Sequence, residues 1–148
     1  DLNKKKTGKA IDIDARKYLK KDGLDYSHGT GHGVGYFLNV HEGPHAISKS
    51  NTINFKEGMI VSNEPGYYEK NNFGIRIENL IYVKKNKKKI SFDNLTMAPI
   101  DKDLIDENFL NKEEKDWINN YHKKVYNNLK QFMDKNEKVE LKKSCSII

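Results

Sequence analysis

Histidines concentrate in one glycine-rich stretch of the sequence, HGTGHGVGYFLNVHEGP. It runs from His28 to Pro44 and contains His28, His32 and His41. Imidazole serves proteins as a proton carrier, a metal ligand or a hydrogen-bonded polar group. Because glycine disfavours helix, we expect strands or tight loops here, not a zinc-binding helix with histidines four residues apart.

Two acidic residues occupy positions predicted to be buried, where an unpaired carboxylate would destabilise the fold. Glu64 follows a predicted buried strand, Met59–Ser62, and directly precedes Pro65. Glu78 lies among apolar residues of GIRIENLIYV. One imidazole with two carboxylates is a set of hard ligands that suits Mn²⁺, Co²⁺ or Zn²⁺. A structural ion pair between Glu78 and Arg76 is the alternative explanation.

Hydrophobic periodicity predicts the elements that position these side chains. A helix is expected over 11–21, with Gly23 as its stop and an apolar face formed by Ile11, Ala15, Tyr18 and Leu19. Residues 75–83 alternate as one continuous strand. The following KKNKKK is expected to be a solvated hairpin tip before a returning strand. It could instead bind nucleic acid, but no aromatic residue is interleaved with it.

The chain changes character after Pro99, where charged and apolar residues alternate at helical spacing. Asn111 and Glu114 form a capping pattern, and a helix is expected over 112–134. Its apolar stripe is expected to be packing surface; it comprises Trp117, Tyr121, Val125, Leu129 and Phe132 or Met133. The tail over 135–148 is expected to be disordered.

Composition bounds the class of protein. The chain has 148 residues, of which 36% are apolar and 32% charged, with a formal net charge of +6. This is one domain or part of a larger one. The single Cys145 excludes an intrachain disulfide and favours a reducing, cytoplasmic compartment. We expect neither a membrane nor a nucleic-acid partner. The terminal CSII matches a loose prenylation pattern, with an ordinary frayed terminus as the alternative.

Together, HGTGHGVGYFLNVHEGP, EGMIVSNEPGYY and FGIRIENLIYV resemble the C-terminal half of the catalytic domain of aminopeptidase P, the Xaa-Pro aminopeptidases of the pita-bread metallopeptidase family. The similarity runs from Ile11 to Pro99, and DWINNYH resembles the cytosolic eukaryotic form. The resemblance implies an α+β pita-bread fold. Residues 1–98 would be its C-terminal half, and residues 99–148 a C-terminal helical extension with a flexible tail.

The resemblance also implies a metal site. His32 and Glu64 match metal ligands of the family, and Glu78 matches the carboxylate that bridges both metals. The implied cofactor is two divalent ions, with Mn²⁺ expected and Zn²⁺ or Co²⁺ as alternatives. The family needs two further aspartates from upstream strands. Asp12 and Asp14 are poor substitutes because they point to different faces of the predicted helix.

The implied reaction is hydrolysis of an N-terminal Xaa-Pro bond by a hydroxide shared between the metals. In this resemblance His28 lies near the substrate, His41 hydrogen-bonds the peptide, and Glu64 carries the proton. Tyr68 and Arg76 fall where the family has supporting residues near the substrate, and purely structural support is the alternative for both.

Partners follow from the same resemblance. The substrates would be peptides with proline at the second position, and the N-terminal half of the same protein would supply the missing aspartates. This segment alone is expected to be inactive, and the helical extension is expected to form a homodimer. The alternatives are a prolidase-type dipeptidase and a catalytically silent pita-bread binding protein. The presence of His32, Glu64 and Glu78 argues against the silent alternative.

Overall fold

The computed structural model describes residues 7–37, 39–87 and 89–148. The chain divides into two compact units, the first ending at Thr96 and the second running from Met97 to Ile148. In the described residues the first unit combines one α-helix with short antiparallel strands, and the second is helical. Leu38 in the histidine-rich stretch and Lys88 at the predicted hairpin tip lie outside the described residues.

Helix α1 spans Gly8–Lys21. The hydroxyl of Thr7 caps its first turn by accepting a backbone N–H. Basic residues occupy its last turn, where their positive charge interacts favourably with the negative end of the helix dipole. Gly23 follows with φ of +74°, the left-handed conformation that glycine adopts without steric cost. The predicted end of the helix is therefore confirmed.

The buried face of α1 is polar, and this corrects the prediction of an apolar face. Asp12 and Arg16 are 1% and 2% exposed, whereas Tyr18 is 66% exposed. Ile11 is only partly buried, against the core of the unit. A helical repeat of apolar residues predicts the buried face only when the polar residues on the opposite face have no hydrogen-bond partners elsewhere in the fold.

The strands of the described residues pair in antiparallel fashion, and most have two to four residues. Their bounds are β1 Gly31–His32, β2 Ala46–Ile47, β3 Ile60–Asn63, β4 Gly66–Glu69, β5 Phe73–Arg76, β6 Asn79–Asn86 and β7 Lys89–Asn94. Strands β1 and β2 pair with each other, β6 lies between β3 and β7, and β4 pairs with β5. An isolated bridge from Gly33 to Val61 ties the end of β1 to β3.

Two of these strand pairs form one interrupted hairpin. Asn63 pairs with Asn79, and Gly66 pairs with Arg76. Continuing the same register between those pairs places Glu64 opposite Glu78. The prediction of one continuous strand over 75–83 is wrong, because β5 ends at Arg76 and β6 begins at Asn79. The break faces Pro65, which has no N–H to donate to the ladder.

A small apolar core supports this hairpin. It consists of Ile47, Phe55, Val61, Ile81 and Val83. The predicted returning strand is confirmed as β7, which pairs with β6 up to Asn86 and Lys89. The polar outer end of this hairpin agrees with a solvated tip, since residues 84–87 are exposed.

The second unit is built on α2, Lys112–Leu129, and α3, Lys135–Ser144. The capping box of Asn111 with Glu114 is confirmed. Helix α2 ends five residues before the predicted 134, and a 3₁₀ turn follows it.

The prediction of a disordered tail is wrong. Asp134 opens α3 with its own capping box, and the side chain of Leu141 packs on Tyr121 and Val125. Cys145 is partly buried against the same cluster. Among the described residues, no helix has the length and hydrophobicity needed to cross a bilayer.

Candidate active site

His32 is held in place by a close approach between two backbones. It ends β1, where the preceding Gly31 packs directly against β3. A Cβ on Gly31 would lie 1.9 Å from the carbonyl oxygen of Ser62. Only glycine permits this contact, so the glycine-rich sequence around His32 serves strand packing.

Ser62 joins the two sides of the site through one buried hydroxyl. Its Oγ accepts the backbone N–H of His32 at 2.9 Å and donates to Oε1 of Glu64 at 2.9 Å. Ser62 is fully buried. Sequence reasoning missed this residue. The available signal was a small hydroxyl side chain in a buried strand, two positions before a carboxylate.

The imidazole of His32 faces Glu64. Its Nδ1 contacts the carbonyl oxygen of Gly33 at 3.1 Å, and since a carbonyl only accepts, Nδ1 carries the proton. In the neutral ring Nε2 then presents a lone pair, 3.5 Å from Oε1 of Glu64. Two acceptors that face each other in this way can bind one metal ion. The ring of His41 lies against that of His32, with centroids 4.1 Å apart.

Arg76 links the two carboxylates at the break in the hairpin. Its Nη1 donates to Oε2 of Glu64 at 3.1 Å and lies 3.9 Å from Oε2 of Glu78. Glu64 is 12% exposed and Glu78 is 46% exposed. The predicted ion pair of Arg76 with Glu78 is therefore present but long, while the nearer and less exposed partner of Arg76 is Glu64.

Tyr68 connects Arg76 to His28. Nε of Arg76 donates to the Tyr68 oxygen at 2.9 Å, and this hydrogen bond is the main reason that the pKa of Arg76 is raised. Nδ1 of His28 donates to the carbonyl of Gly29 at 2.7 Å, so its Nε2 accepts from the Tyr68 hydroxyl at 2.8 Å. Gly74 makes room for the Tyr68 ring, because a Cβ there would lie 2.7 Å from it.

The predicted site residues therefore form one contiguous cluster. Its members are His28, His32, His41, Glu64, Tyr68, Arg76 and Glu78. Among the described residues, the guanidinium of Arg76 connects Glu78 to this cluster. Asp12 and Asp14 lie on α1, and Asp12 is engaged by Arg16 and Thr30. Sequence spacing did not indicate the connections through Ser62 and Tyr68.

The donor set fits part of a metal site. Within residues 7–37, 39–87 and 89–148, no three His, Cys, Asp or Glu side chains converge as a group able to hold a metal ion. His32 and Glu64 do converge, and the ring tautomer of His32 leaves Nε2 free to bind. Glu78 would become a third ligand if it exchanged the Arg76 guanidinium for a cation. Other segments would have to complete the coordination of two ions.

Sequence comparison relates the chain to a known family of proteins. The profile of metallopeptidase family M24 matches residues 2–85, and that of the C-terminal region of peptidase M24 matches residues 88–148. A probable Xaa-Pro aminopeptidase P from Laccaria bicolor is 46% identical over 153 aligned positions, covering 95% of this chain and 24% of the fungal protein.

Solved structures agree. The X-prolyl aminopeptidase of Caenorhabditis elegans, described as a cytosolic enzyme with a dinuclear active site, matches with a TM-score of 0.85 and 36% identity. The match covers 95% of this chain and 24% of that one. A prolidase from Pyrococcus horikoshii matches with a TM-score of 0.54 and 36% identity, over 61% of this chain and 24% of the prolidase.

These matches confirm the expected fold class, an α+β pita-bread fold represented by the C-terminal part of the homologues. The chain spans about a quarter of the length of these relatives. The M24 profile matches more than half of the chain, so the chain belongs to metallopeptidase family M24.

Proposed function

We propose that the protein containing this chain is a metal-dependent aminopeptidase that hydrolyses N-terminal Xaa-Pro bonds. The observation that carries the proposal is the approach of His32 Nε2 to Glu64 Oε1 at 3.5 Å, held from behind by the buried hydroxyl of Ser62. Such an acceptor pair, fixed by hydrogen bonds to its outer side, is typical of a site prepared for a cation.

In this proposal His32, Glu64 and Glu78 hold two divalent ions, Mn²⁺ before Zn²⁺ or Co²⁺. Bound ions supply Lewis acidity and, from water, a nucleophile at neutral pH. The ion pair of Arg76 with Glu78 does not prevent this role. Both groups are more than 40% exposed, and an exposed ion pair of this length is weak because water screens the two charges. Glu78 can therefore turn from the guanidinium to a metal ion.

The remaining side chains would act on the peptide. Glu64 carries a proton on its carboxylate to the leaving proline nitrogen, and Ser62 orients that carboxylate through Oε1. His41, which lies beside His32, donates an N–H to the scissile carbonyl oxygen. His28 lies near the substrate, with its Nε2 side fixed by Tyr68. A dedicated site is needed because proline has no amide hydrogen and a fixed φ.

The wider organisation follows the relatives. We propose that residues 1–98 act as the C-terminal half of a catalytic domain and residues 99–148 as its helical extension. The N-terminal half of the protein would supply two metal-binding aspartates, and the active form would be a cytoplasmic homodimer. The named relatives are Xaa-Pro aminopeptidases, and the C. elegans enzyme is described as cytosolic.

A prolidase-type dipeptidase is the second candidate, favoured by the similarity to the P. horikoshii prolidase. That match covers 61% of this chain, against 95% for the C. elegans aminopeptidase. The two functions differ in substrate length. A tripeptide Xaa-Pro-Xaa is cleaved by the aminopeptidase, whereas a dipeptidase prefers Xaa-Pro.

Peptide hydrolysis by the full-length protein with Mn²⁺ tests the proposal. We expect cleavage of Xaa-Pro-Xaa and not of Xaa-Ala-Xaa. Glu64→Gln should lower kcat by at least about 100-fold, because it removes both the proposed proton carrier and a carboxylate ligand of the metal. Glu57→Gln is the matched control, since Glu57 is exposed and outside the site. Binding of metal without hydrolysis of any Xaa-Pro peptide would contradict the enzymatic proposal and favour a silent binding protein.

A further inference from the structure

Helix α1 buries a full charge at its centre. Arg16 is 2% exposed and Asp12 is 1% exposed. Nε of Arg16 lies 2.9 Å from each carboxylate oxygen of Asp12, one turn earlier on the helix. Burying such a pair is often no better for stability than an apolar pair of the same volume. The other contacts of Arg16 therefore indicate what this buried pair does besides contributing to stability.

The two terminal nitrogens of Arg16 donate hydrogen bonds to residues 25–28, the segment that includes His28 and precedes His32. Nη1 donates to Asp25 at 2.6 Å and to the carbonyl oxygen of Tyr26 at 2.7 Å. Nη2 donates to the carbonyl oxygen of His28 at 2.6 Å. The guanidinium also lies 3.8 Å from the centre of the Tyr26 ring. One side chain thus fixes the path of the main chain from Asp25 to His28.

Asp12 holds the next part of the same segment. Its Oδ1 accepts the hydroxyl of Thr30 at 2.5 Å, and the Tyr26 hydroxyl lies 2.5 Å from that same Thr30 oxygen. The carbonyl oxygen of Thr30 in turn accepts the backbone N–H of Glu64 at 2.7 Å. His32 follows two residues after Thr30. The helix is therefore connected to both members of the proposed ligand pair.

We propose that Arg16 and Asp12 are positioning residues that set the placement of His28, His32 and Glu64. They act through residues 25–30, by hydrogen bonds with the side chains of Asp25 and Thr30 and with the carbonyl oxygens of Tyr26 and His28. The proposal rests on the proposed function for its catalytic consequence, but the positioning itself is a property of the fold.

The fork geometry of arginine is essential to this role. Arg16 binds two carboxylates and two carbonyl oxygens that lie in different directions around one planar group. Lysine keeps the positive charge but has a single nitrogen at the end of a flexible chain. Arg16→Lys therefore preserves charge and removes the hold on the carbonyl oxygens of Tyr26 and His28.

The test compares Arg16→Lys with Lys17→Met, an exposed neighbour on the same helix, in the full-length protein. The first measurement is backbone hydrogen–deuterium exchange without substrate. We expect exchange over residues 26–32 to quicken by about tenfold in Arg16→Lys while other segments keep their rates. The second is hydrolysis of Xaa-Pro-Xaa. We expect kcat to fall by about 10- to 100-fold with KM little changed, since misplacement of catalytic groups by about 1 Å can cost about 100-fold.

Asp12→Asn provides a second variant if Arg16→Lys does not fold, because asparagine keeps an acceptor oxygen at the same place. Its exchange increase should centre on Thr30. Evenly faster exchange along the whole chain, or a kcat per folded molecule equal to that of Lys17→Met, would overturn the positioning role. If the wild-type protein hydrolyses no Xaa-Pro peptide, the proposed function fails, and the local exchange result alone decides whether Arg16 and Asp12 position the histidines.

Discussion

Ser62→Ala removes one oxygen atom from the centre of the site. The hydroxyl accepts from the His32 N–H and donates to Glu64, both at 2.9 Å. Since Ser62 is fully buried, water cannot replace either hydrogen bond without rearrangement. The alanine variant fills nearly the same space, so the fold should persist while Glu64 loses its orientation.

The size of the effect follows from the charge on Glu64. A hydrogen bond to a charged group contributes about 1.5–3 kcal/mol. If that energy is lost only from the oriented, metal-binding form, it corresponds to about a 10- to 150-fold weaker affinity. The figure agrees with the about 10- to 100-fold losses that follow removal of groups supporting a metal ligand.

Titration calorimetry of Mn²⁺ into the metal-free, full-length protein measures this affinity directly. Ser50→Ala is the matched control, because Ser50 is exposed. A circular dichroism spectrum equal to that of the wild type establishes that both variants are folded. If Ser62→Ala binds Mn²⁺ as tightly as Ser50→Ala does, the hydroxyl does not orient Glu64 for a metal ion.

Further predictions concern the hydrogen-bond chain, the charge network and the C-terminal helix. Tyr68→Phe removes the hydroxyl between Arg76 and His28. It should lower kcat by about tenfold and, since Tyr68 is 42% exposed, change the thermal midpoint by less than about 2 °C; Tyr18→Phe is the control, and equal kcat values would exclude a role for the hydroxyl. Hydrogen bonds from Lys49 and Arg16 hold the pKa of Asp25 well below its ordinary value of 3.8. Asp25 therefore stabilises the fold above about pH 4 and loses that contribution as the pH falls toward its folded pKa. Asp25→Asn should lower the thermal midpoint at pH 7 and flatten its decline in acid, and an unchanged acid profile would contradict this. Leu141→Ala should reduce the free energy of unfolding by about 2–5 kcal/mol, because Leu141 is 6% exposed in the core of the second unit. Val139→Ala, on the exposed side of α3, is its control in denaturant unfolding, and equal losses would show that α3 does not pack through Leu141.

Local signals were sufficient to predict several elements. Glycine spacing excluded a helix around His32, and the structure has a short strand there. The polar pair Asn111 and Glu114 predicted the start of α2 because a capping box depends only on neighbours three residues apart. Gly23 marked the end of α1 for a similarly local reason.

Long-range partners explain what sequence patterns missed. Asp12 and Arg16 are buried because their partners lie further along the chain, up to Thr30, and periodicity carries no information about such contacts. The alternation over 75–83 predicted one strand because Ile77 fits the pattern. The opposing Pro65 nevertheless breaks the ladder.

The disorder predicted for residues 135–148 is wrong for a different reason. The charged composition of this segment suggested disorder, but Asp134 and Glu137 cap a new helix and Leu141 reaches the apolar cluster of α2. One apolar residue in a charged segment does not indicate a helix from sequence, but in the fold its side chain packs α3 against α2.

A crystal structure of the full-length protein with Mn²⁺ tests the proposed metal site most directly. We expect two metal ions, with His32 Nε2 and the carboxylates of Glu64 and Glu78 each within about 2.5 Å of an ion. We also expect Glu78 to have left Arg76. Metal density away from these three side chains, with Glu78 still beside the Arg76 guanidinium, would contradict the proposed site.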